Sequence, residues 1–527
     1  MRHKQESVLC RCRLIAGLAV ISSAVLFAGG TNGWDFSAAF PAGGHPLRAL
    51  WTVKQGFDVP EDGGLAFDFY CTNPELFSHI TFAAIRGNLA VPAMVGTADL
   101  RSCETQRIYL TRRDFTLKDL VKDGKLPDGK LSDWTGFESL RISAWRIAAK
   151  PADVKVHIAN ISEFHGPPPV PRIPPPNAKA LVPPREGERR FISCHRPYGV
   201  DEKSGWDKTA RRMKSCGFTD VLPLMGKPSG VYYQSSVLPV ADYVAQHGDQ
   251  LEECLKACRK YGLKCHPCKV SFNLGRDCPK KLSERMGKEG RLLVTADGRE
   301  LNRWLCPTHP DNIRDEVEAF VELAGKGVDG VRLDFIRYFG TDTCFCPRCC
   351  ALFEARTGVG EGWVKKLKGD PALLKKWDAF RCDNITAVVK AISEKVRARH
   401  PGVEISAAVF TGDRPVNIAR VGQDWQDWLA KGYVDHVSPM TYTRSRNSYL
   451  VMLERNRAGI DAGRCYPYIG PSVWPWIDNP VKPARLMEQV NAVREAGCFP
   501  GFSVFEFSEY SSKLCEKVFR KSAQSGE

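Results

Sequence analysis

Two different hydrophobic rhythms divide this chain. Between residues 34 and 165, apolar and polar positions alternate in short runs, as in Gly64-Leu-Ala-Phe-Asp-Phe-Tyr, Ser139-Leu-Arg-Ile-Ser-Ala-Trp-Arg-Ile and the stretch 154–161. Period-two runs of this length, separated by turn residues, predict an all-β sandwich. A proline-rich tract follows over 166–184, with Gly-Pro-Pro-Pro-Val-Pro-Arg-Ile-Pro-Pro-Pro at its centre. Polyproline is extended and semi-rigid, so the tract reads as a spacer between folded units. Beyond it, short apolar runs at 191–194, 220–224, 263–267, 330–335, 403–410, 436–440, 466–469 and 502–505 alternate with helical periodicity, for example over 311–324, 377–400, 483–496 and 511–521. Eight strand-then-helix units over residues 185–527 predict a (β/α)₈ barrel. An open doubly wound sheet is the competing fold, and the absence of a Gly-rich phosphate loop argues against it.

The tract 327–338, Gly-Val-Asp-Gly-Val-Arg-Leu-Asp-Phe-Ile-Arg-Tyr, sets two charges inside a buried strand. Side chains alternate along a strand, which places Arg332 and Asp334 on one face and Val331, Leu333 and Phe335 on the other. Burying both charges costs several kcal/mol unless they pair with each other or with a substrate. Either a structural ion pair or an active site satisfies that condition. Barrel chemistry sits at the carboxyl ends of strands, which favours Asp334, with His195 after the first strand, His266 after the third, Asp413 after the fifth, Tyr442 after the sixth and Glu506 after the eighth. Glycosidic cleavage needs two carboxyl groups, one nucleophilic or basic and one acidic. Asp334 and Glu506 are the best-placed pair. Arg337 and Tyr338 follow on the same loop as Asp334. Tyr442, Tyr468, Trp474 and Trp476 offer flat rings on which sugar faces can stack.

The sequence Trp304-Leu-Cys-Pro-Thr-His-Pro-Asp-Asn-Ile-Arg, then a helix, then the 327–338 tract resembles the central signature of glycosyl hydrolase-like family 10. That resemblance implies a TIM barrel over about 190–510 related to enzymes acting on polysaccharides. Arg332-Leu333-Asp334 is also similar to the arginine-x-aspartate of α-amylase-type barrels. By that similarity Asp334 inherits the role of nucleophile, with Arg332 holding it ionised. Those barrels supply the acid as a glutamate after strand five, where this chain has Phe410-Thr-Gly-Asp413. The acid therefore lies between Asp413 and Glu506. A non-catalytic glycan-binding protein on a hydrolase-derived barrel is the second reading.

The first 33 residues carry a basic start (Arg2, Lys4, Arg11, Arg13), an apolar run over 14–28, and small and turn residues. This is the pattern of a secretory signal. It points to a secreted, periplasmic or cell-envelope protein with no membrane span once the signal is removed. The chain has 527 residues and a net charge of +15. Losing the leader leaves about +12, a balance that suits polyanionic surroundings such as acidic glycans. No arginine-rich tail or nucleic-acid motif points to DNA or RNA. The expected partner is a polysaccharide or oligosaccharide, with no cofactor.

Twenty cysteines are present, two of them in the leader. In an exported chain, disulfides are expected. Cys71 and Cys103 are the one pair in the N-terminal region, and so the easiest bridge to propose. Cys344-Phe-Cys346-Pro-Arg-Cys349-Cys350 admits disulfides, structural thiols or a metal; the spacing is tighter than paired zinc knuckles, and no metal is assigned.

Overall fold

The computed structural model describes residues 20–21, 33–41, 48–96, 100–115, 131–146, 150–169, 178–443, 446–457, 464–470 and 483–523. The chain divides into two compact units, Met1–Arg172 and Ile173–Glu527. No helix among the described residues is long and apolar enough to cross a membrane.

In the N-terminal unit, two sheets of antiparallel strands share one core. One sheet orders Arg48–Val53, Ser139–Arg146, Phe77–Arg86 and Leu89–Gly96 side by side, with the short piece Val20–Ile21 on its edge. The other orders Gly33–Phe40, Ala152–Phe164, Gly64–Cys71 and Gln106–Thr111. The alternation visible in sequence is the alternation in space. Ala49, Trp51 and Val53 from one sheet meet Phe36, Phe67 and Phe69 from the other, while the residues between them face outward.

Cys71 and Cys103 are adjacent, as the proposed bridge requires, but no disulfide joins them. The Cys103 N–H does donate to the Cys71 carbonyl at 3.1 Å, so the two residues are neighbours. Both are nevertheless free thiols. Cys71 follows the strand alternation into the core and donates to the Thr72 carbonyl, whereas Cys103 sits exposed in a turn with φ of 59°.

The second unit is the expected barrel. Its strands are β1 (Arg189–Cys194), β2 (Asp220–Lys227), β3 in two pieces (Lys264–Cys265 and Cys268–Val270), β4 (Gly330–Asp334), β5 (Glu404–Val409), β6 (His436–Pro439), β7 (Tyr468–Ile469) and β8 (Gly501–Val504). Neighbours pair in parallel around the ring, from β6 through β1 to β8 and β7. Among the described residues, the gap between β6 and β7 closes through one bridge, Val437 to Cys465. Helices α1 (Pro310–Ala324), α2 (Pro347–Thr357), α3 (Pro371–Arg399) and α4 (Arg414–Val421) follow β3, β4 and β5. The apolar face of α1, including Val317, Phe320 and Leu323, packs into the same core as Val331 and Leu333 of β4.

Gly330, Arg332 and Asp334 share the inward face of β4, one above the other. A Cβ at Gly330 would meet His266 Nδ1 at 2.2 Å and the Glu404 carbonyl at 2.8 Å. Glycine in the Asp-Gly motif thus makes room for a histidine ring inside the barrel. β4 ends at Asp334, one residue earlier than its sequence suggests, because Phe335 takes a left-handed backbone (φ 55°) that breaks the alternation. Such a conformation costs a bulky residue on the order of 1–2 kcal/mol.

Candidate active site

The barrel interior is layered, and the layers differ in how their charges are partnered. At the base, Arg189 lies between Asp220 (Nη2 to Oδ1, 2.5 Å) and Glu404 (Nη1 to Oε2, 3.1 Å). His266 Nε2 is 3.0 Å from Asp220 Oδ1, and His436 Nε2 is 3.5 Å from Glu404 Oε2. Phe191 packs its ring against His266, His436 and Tyr466. His266, expected at the mouth, therefore belongs to the base. Pro267 interrupts β3 and imitates a strand end in sequence, yet the strand resumes at Cys268 and runs on to Val270.

Above this lies a layer of small hydroxyls around Arg332. Arg332 is 1% exposed, and it donates to Tyr468 Oη at 3.0 Å and Ser406 Oγ at 3.4 Å. Ser438 and Ser503 hydrogen bond to each other at 2.8 Å across the same layer. The expected ion pair between Arg332 and Asp334 is absent: the two Nη atoms donate to Tyr468 and Ser406, and the buried Nε has no hydrogen-bond partner.

Asp334 stands at the mouth, 9% exposed, with Oδ1 accepting the Phe335 N–H at 2.8 Å. Among the described residues no cation forms an ion pair with it. Arg337 acts on it electrostatically; burial lowers that guanidinium to about 10, against the pull of Asp334. The Arg337 guanidinium is held between the rings of Phe335 (4.1 Å) and Phe410 (4.8 Å). Across the mouth, Phe505 packs edge-on against His195 at 4.6 Å and lies 5.4 Å from Tyr442 and 5.9 Å from Tyr468. Burial raises the Tyr442 hydroxyl well above its ordinary value, and the charges of Tyr468, Asp334 and Glu506 add to the effect. Both carboxylates therefore lie within electrostatic reach of one phenol.

The structure thus gathers Asp334, Glu506, Arg332, Arg337, His195, Tyr442 and Tyr468 at or just below one end of the barrel. Asp413 is half-buried, and its carbonyl caps α4 by accepting the N–H groups of Val416 and Asn417. Tyr338 is a further correction to the expected set. It is 1% exposed, its hydroxyl meets Asn384 of α3 at 3.2 Å, and Arg381 covers its ring. The turn at Phe335 sends Tyr338 outward into the helices rather than toward a ligand. Trp474 and Trp476 lie outside the described residues. Phe505 and Ser406 escaped the sequence reading because an uncharged residue inside a strand run reads as core. The sole available signal was their place, on an inward position or one step past a strand end.

Comparison with known proteins adds an independent line. A model of the family Glycosyl hydrolase-like 10 matches residues 203–457. Over that stretch, a little under half of the chain, the barrel is similar to this family. The matched stretch runs from the end of β1 past β6 and includes Arg332, Asp334, Arg337, Asp413 and Tyr442. Among solved structures, the glycoside hydrolase domain of PgaB (BpsB) from Bordetella bronchiseptica superposes with a TM-score of 0.51 at 15% identity, covering 63% of this chain and 98% of that domain. At this identity the likeness shows the fold. The catalytic domain of β-amylase from Paenibacillus polymyxa (TM-score 0.46, 11% identity, 64% of this chain and 98% of that one) and a β-galactosidase from Marinomonas ef1 (0.45, 13%, 64% and 59%) also match. No curated protein matches the sequence.

Proposed function

We propose that the protein is a secreted glycoside hydrolase that cleaves O-glycosidic bonds of a polysaccharide, with Asp334 as nucleophile or base and Glu506 as acid. One observation carries the reading: the carboxylate at the mouth end of β4 is held in place by a backbone N–H and left without an ion pair among the described residues. A structural carboxylate at this burial would be neutralised, as those at the base are. The Phe335 N–H fixes the position of this carboxylate and Arg337 lies within electrostatic reach of it, an arrangement suited to a nucleophile or base. Glu506 is preferred over Asp413 because it shares with Asp334 an electrostatic influence on Tyr442. Tyr442, Phe505 and His195 form a flat-sided wall suited to a sugar ring. The basic leader pattern supports export, and the basic balance of the mature chain suits an anionic glycan.

The reading is tested by incubating the purified full chain with peptidoglycan and with plant, algal and animal polysaccharides, neutral and acidic, and assaying released reducing ends. Release from at least one of them is expected. Binding to a polysaccharide without release from any would favour the glycan-binding alternative, for which the missing glutamate after β5 is the specific argument.

A further inference from the structure

Three sulfurs of the loop that leaves β4 meet a fourth from Cys306, about 40 positions earlier in the chain. Cys306, Cys344, Cys346 and Cys349 are all buried, and their Sγ atoms all lie within 4.8 Å of one another. Cys306 Sγ is 3.7 Å from Cys346 Sγ and 3.5 Å from Cys349 Sγ. A disulfide requires about 2.05 Å between sulfurs. Four thiolates each about 2.3 Å from a central zinc stand roughly 3.8 Å apart along every edge of the tetrahedron. The two Cys306 separations match tetrahedron edges, and all the others fall within 4.8 Å.

The surroundings suit thiolates rather than thiols packed as small apolar groups. Val294 N–H donates to Cys344 Sγ at 3.4 Å, and Cys349 N–H donates to Cys346 Sγ at 3.5 Å. The Thr308 hydroxyl lies 3.1 Å from Cys349 Sγ and 3.2 Å from Cys306 Sγ. Arg381, fully buried on α3, is close enough to act electrostatically on Cys344 and Cys349. A Zn²⁺ with four thiolates carries a net charge of −2, which a buried guanidinium offsets in part. The fifth cysteine of the loop is excluded by helix geometry. Cys350 follows Cys349 in the first turn of α2, so it points about 100° away, and its thiol donates instead to the Phe345 carbonyl at 3.6 Å. A second group, Cys254, Cys258 and Cys265, offers three sulfurs and sits in the apolar core.

We propose that Cys306, Cys344, Cys346 and Cys349 hold one structural Zn²⁺. Four protein ligands fill a tetrahedral site and leave no position for water or substrate, so the ion is a staple. It ties the turn before α1 to the loop after β4, and so fixes the far end of the segment that begins at Asp334 and carries Arg337. The site replaces the loop disulfides considered for Cys344–Cys350, and it stands whether or not the barrel hydrolyses a glycan.

The test is metal analysis of the full chain, purified without added metal and dialysed against EDTA, followed by X-ray absorption at the zinc edge. About one zinc per chain is expected, with sulfur-only coordination at about 2.3 Å. Titration with a mercurial reagent should release it in step with a fall in melting temperature. Cys350→Ser should keep the zinc and Cys306→Ser should lose it. If Cys306→Ser does not fold, the wild-type metal content and Cys350→Ser decide the matter. Folded wild-type protein free of metal, iron in place of zinc, disulfides among the four cysteines, or oxygen or nitrogen in the coordination shell would overturn the proposal.

Discussion

At the base of the barrel Arg189 is shared by Asp220 and Glu404, with His266 and His436 completing the set; at the mouth the Asp334 carboxylate accepts one backbone N–H, and Arg332 below it donates to Tyr468 and Ser406. Both ends bury charge. The base satisfies each charge with an opposite one, as a folded core requires. The mouth holds the Asp334 carboxylate in position by a backbone N–H and gives it no ion pair among the described residues. On the proposed function, the difference separates residues that the fold needs from residues that a reaction would use, although both stand on inward positions of the barrel strands.

The largest expected effect lies at the base. Asp220→Ala leaves Arg189 and His266 without their shared partner, and removing one member of a buried pair costs about 3–5 kcal/mol. Urea unfolding should show that loss, while turnover per folded molecule stays near the wild-type value. An equal fall in turnover of the folded protein would erase the distinction between the two ends.

At the mouth the effect should be reversed. Glu506→Gln should leave the urea midpoint near wild type and lower turnover by about 10²-fold or more, the usual contribution of a general acid. Initial-rate assays of reducing-end release measure it. Unchanged turnover would move the acid to Asp413.

The base also sets an acid limit. Burial pushes His436 down from 6.5 to about 4, so it is neutral when folded. Its contribution to stability is complete above pH 6.5 and is lost as pH falls through 4. Burial would raise Glu404, but the His436 hydrogen bond and the Arg189 charge outweigh it and bring the group from 4.5 to about 2. That contribution is present above pH 4.5 and is lost as pH falls through 2. Hydrogen bonds from His266 and Arg189 likewise overcome burial to hold the Asp220 carboxyl well below its ordinary range. Melting temperature should therefore decline in two stages as pH falls from about 6.5 to 2. Asp220→Ala should flatten the second stage. Tyr468→Phe, which removes one of two hydrogen bonds to Arg332, should have the smallest effect, about 1–2 kcal/mol in urea unfolding.

Much of the barrel was legible because its strands are short apolar runs bounded by turn residues, and their centres fell where the runs lie. The failures share a cause in local backbone. Pro267 mimics a strand end and put His266 at the wrong end of the barrel. The left-handed Phe335 ends β4 early and turns Tyr338 into the helices. What the sequence concealed altogether were partnerships across distance. Arg189 and Glu404 are 215 positions apart, and Cys306 joins a cysteine group 40 positions downstream of it. Asp334 could be read because charge inside an apolar strand is conspicuous without knowing its partners, and the same signal led to Arg332 while misassigning its partner.

The most direct test of the division between the ends is turnover by folded Asp334→Asn, measured beside wild type on a polysaccharide that the wild type cleaves. Asparagine can still accept the Phe335 N–H, and Arg332 keeps Tyr468, so the melting temperature should stay within a few degrees of wild type. Reducing-end release should fall to background while binding of the polysaccharide survives. Near-normal hydrolysis by the folded variant would contradict the account, because the carboxylate at the mouth would then be no more chemical than those at the base.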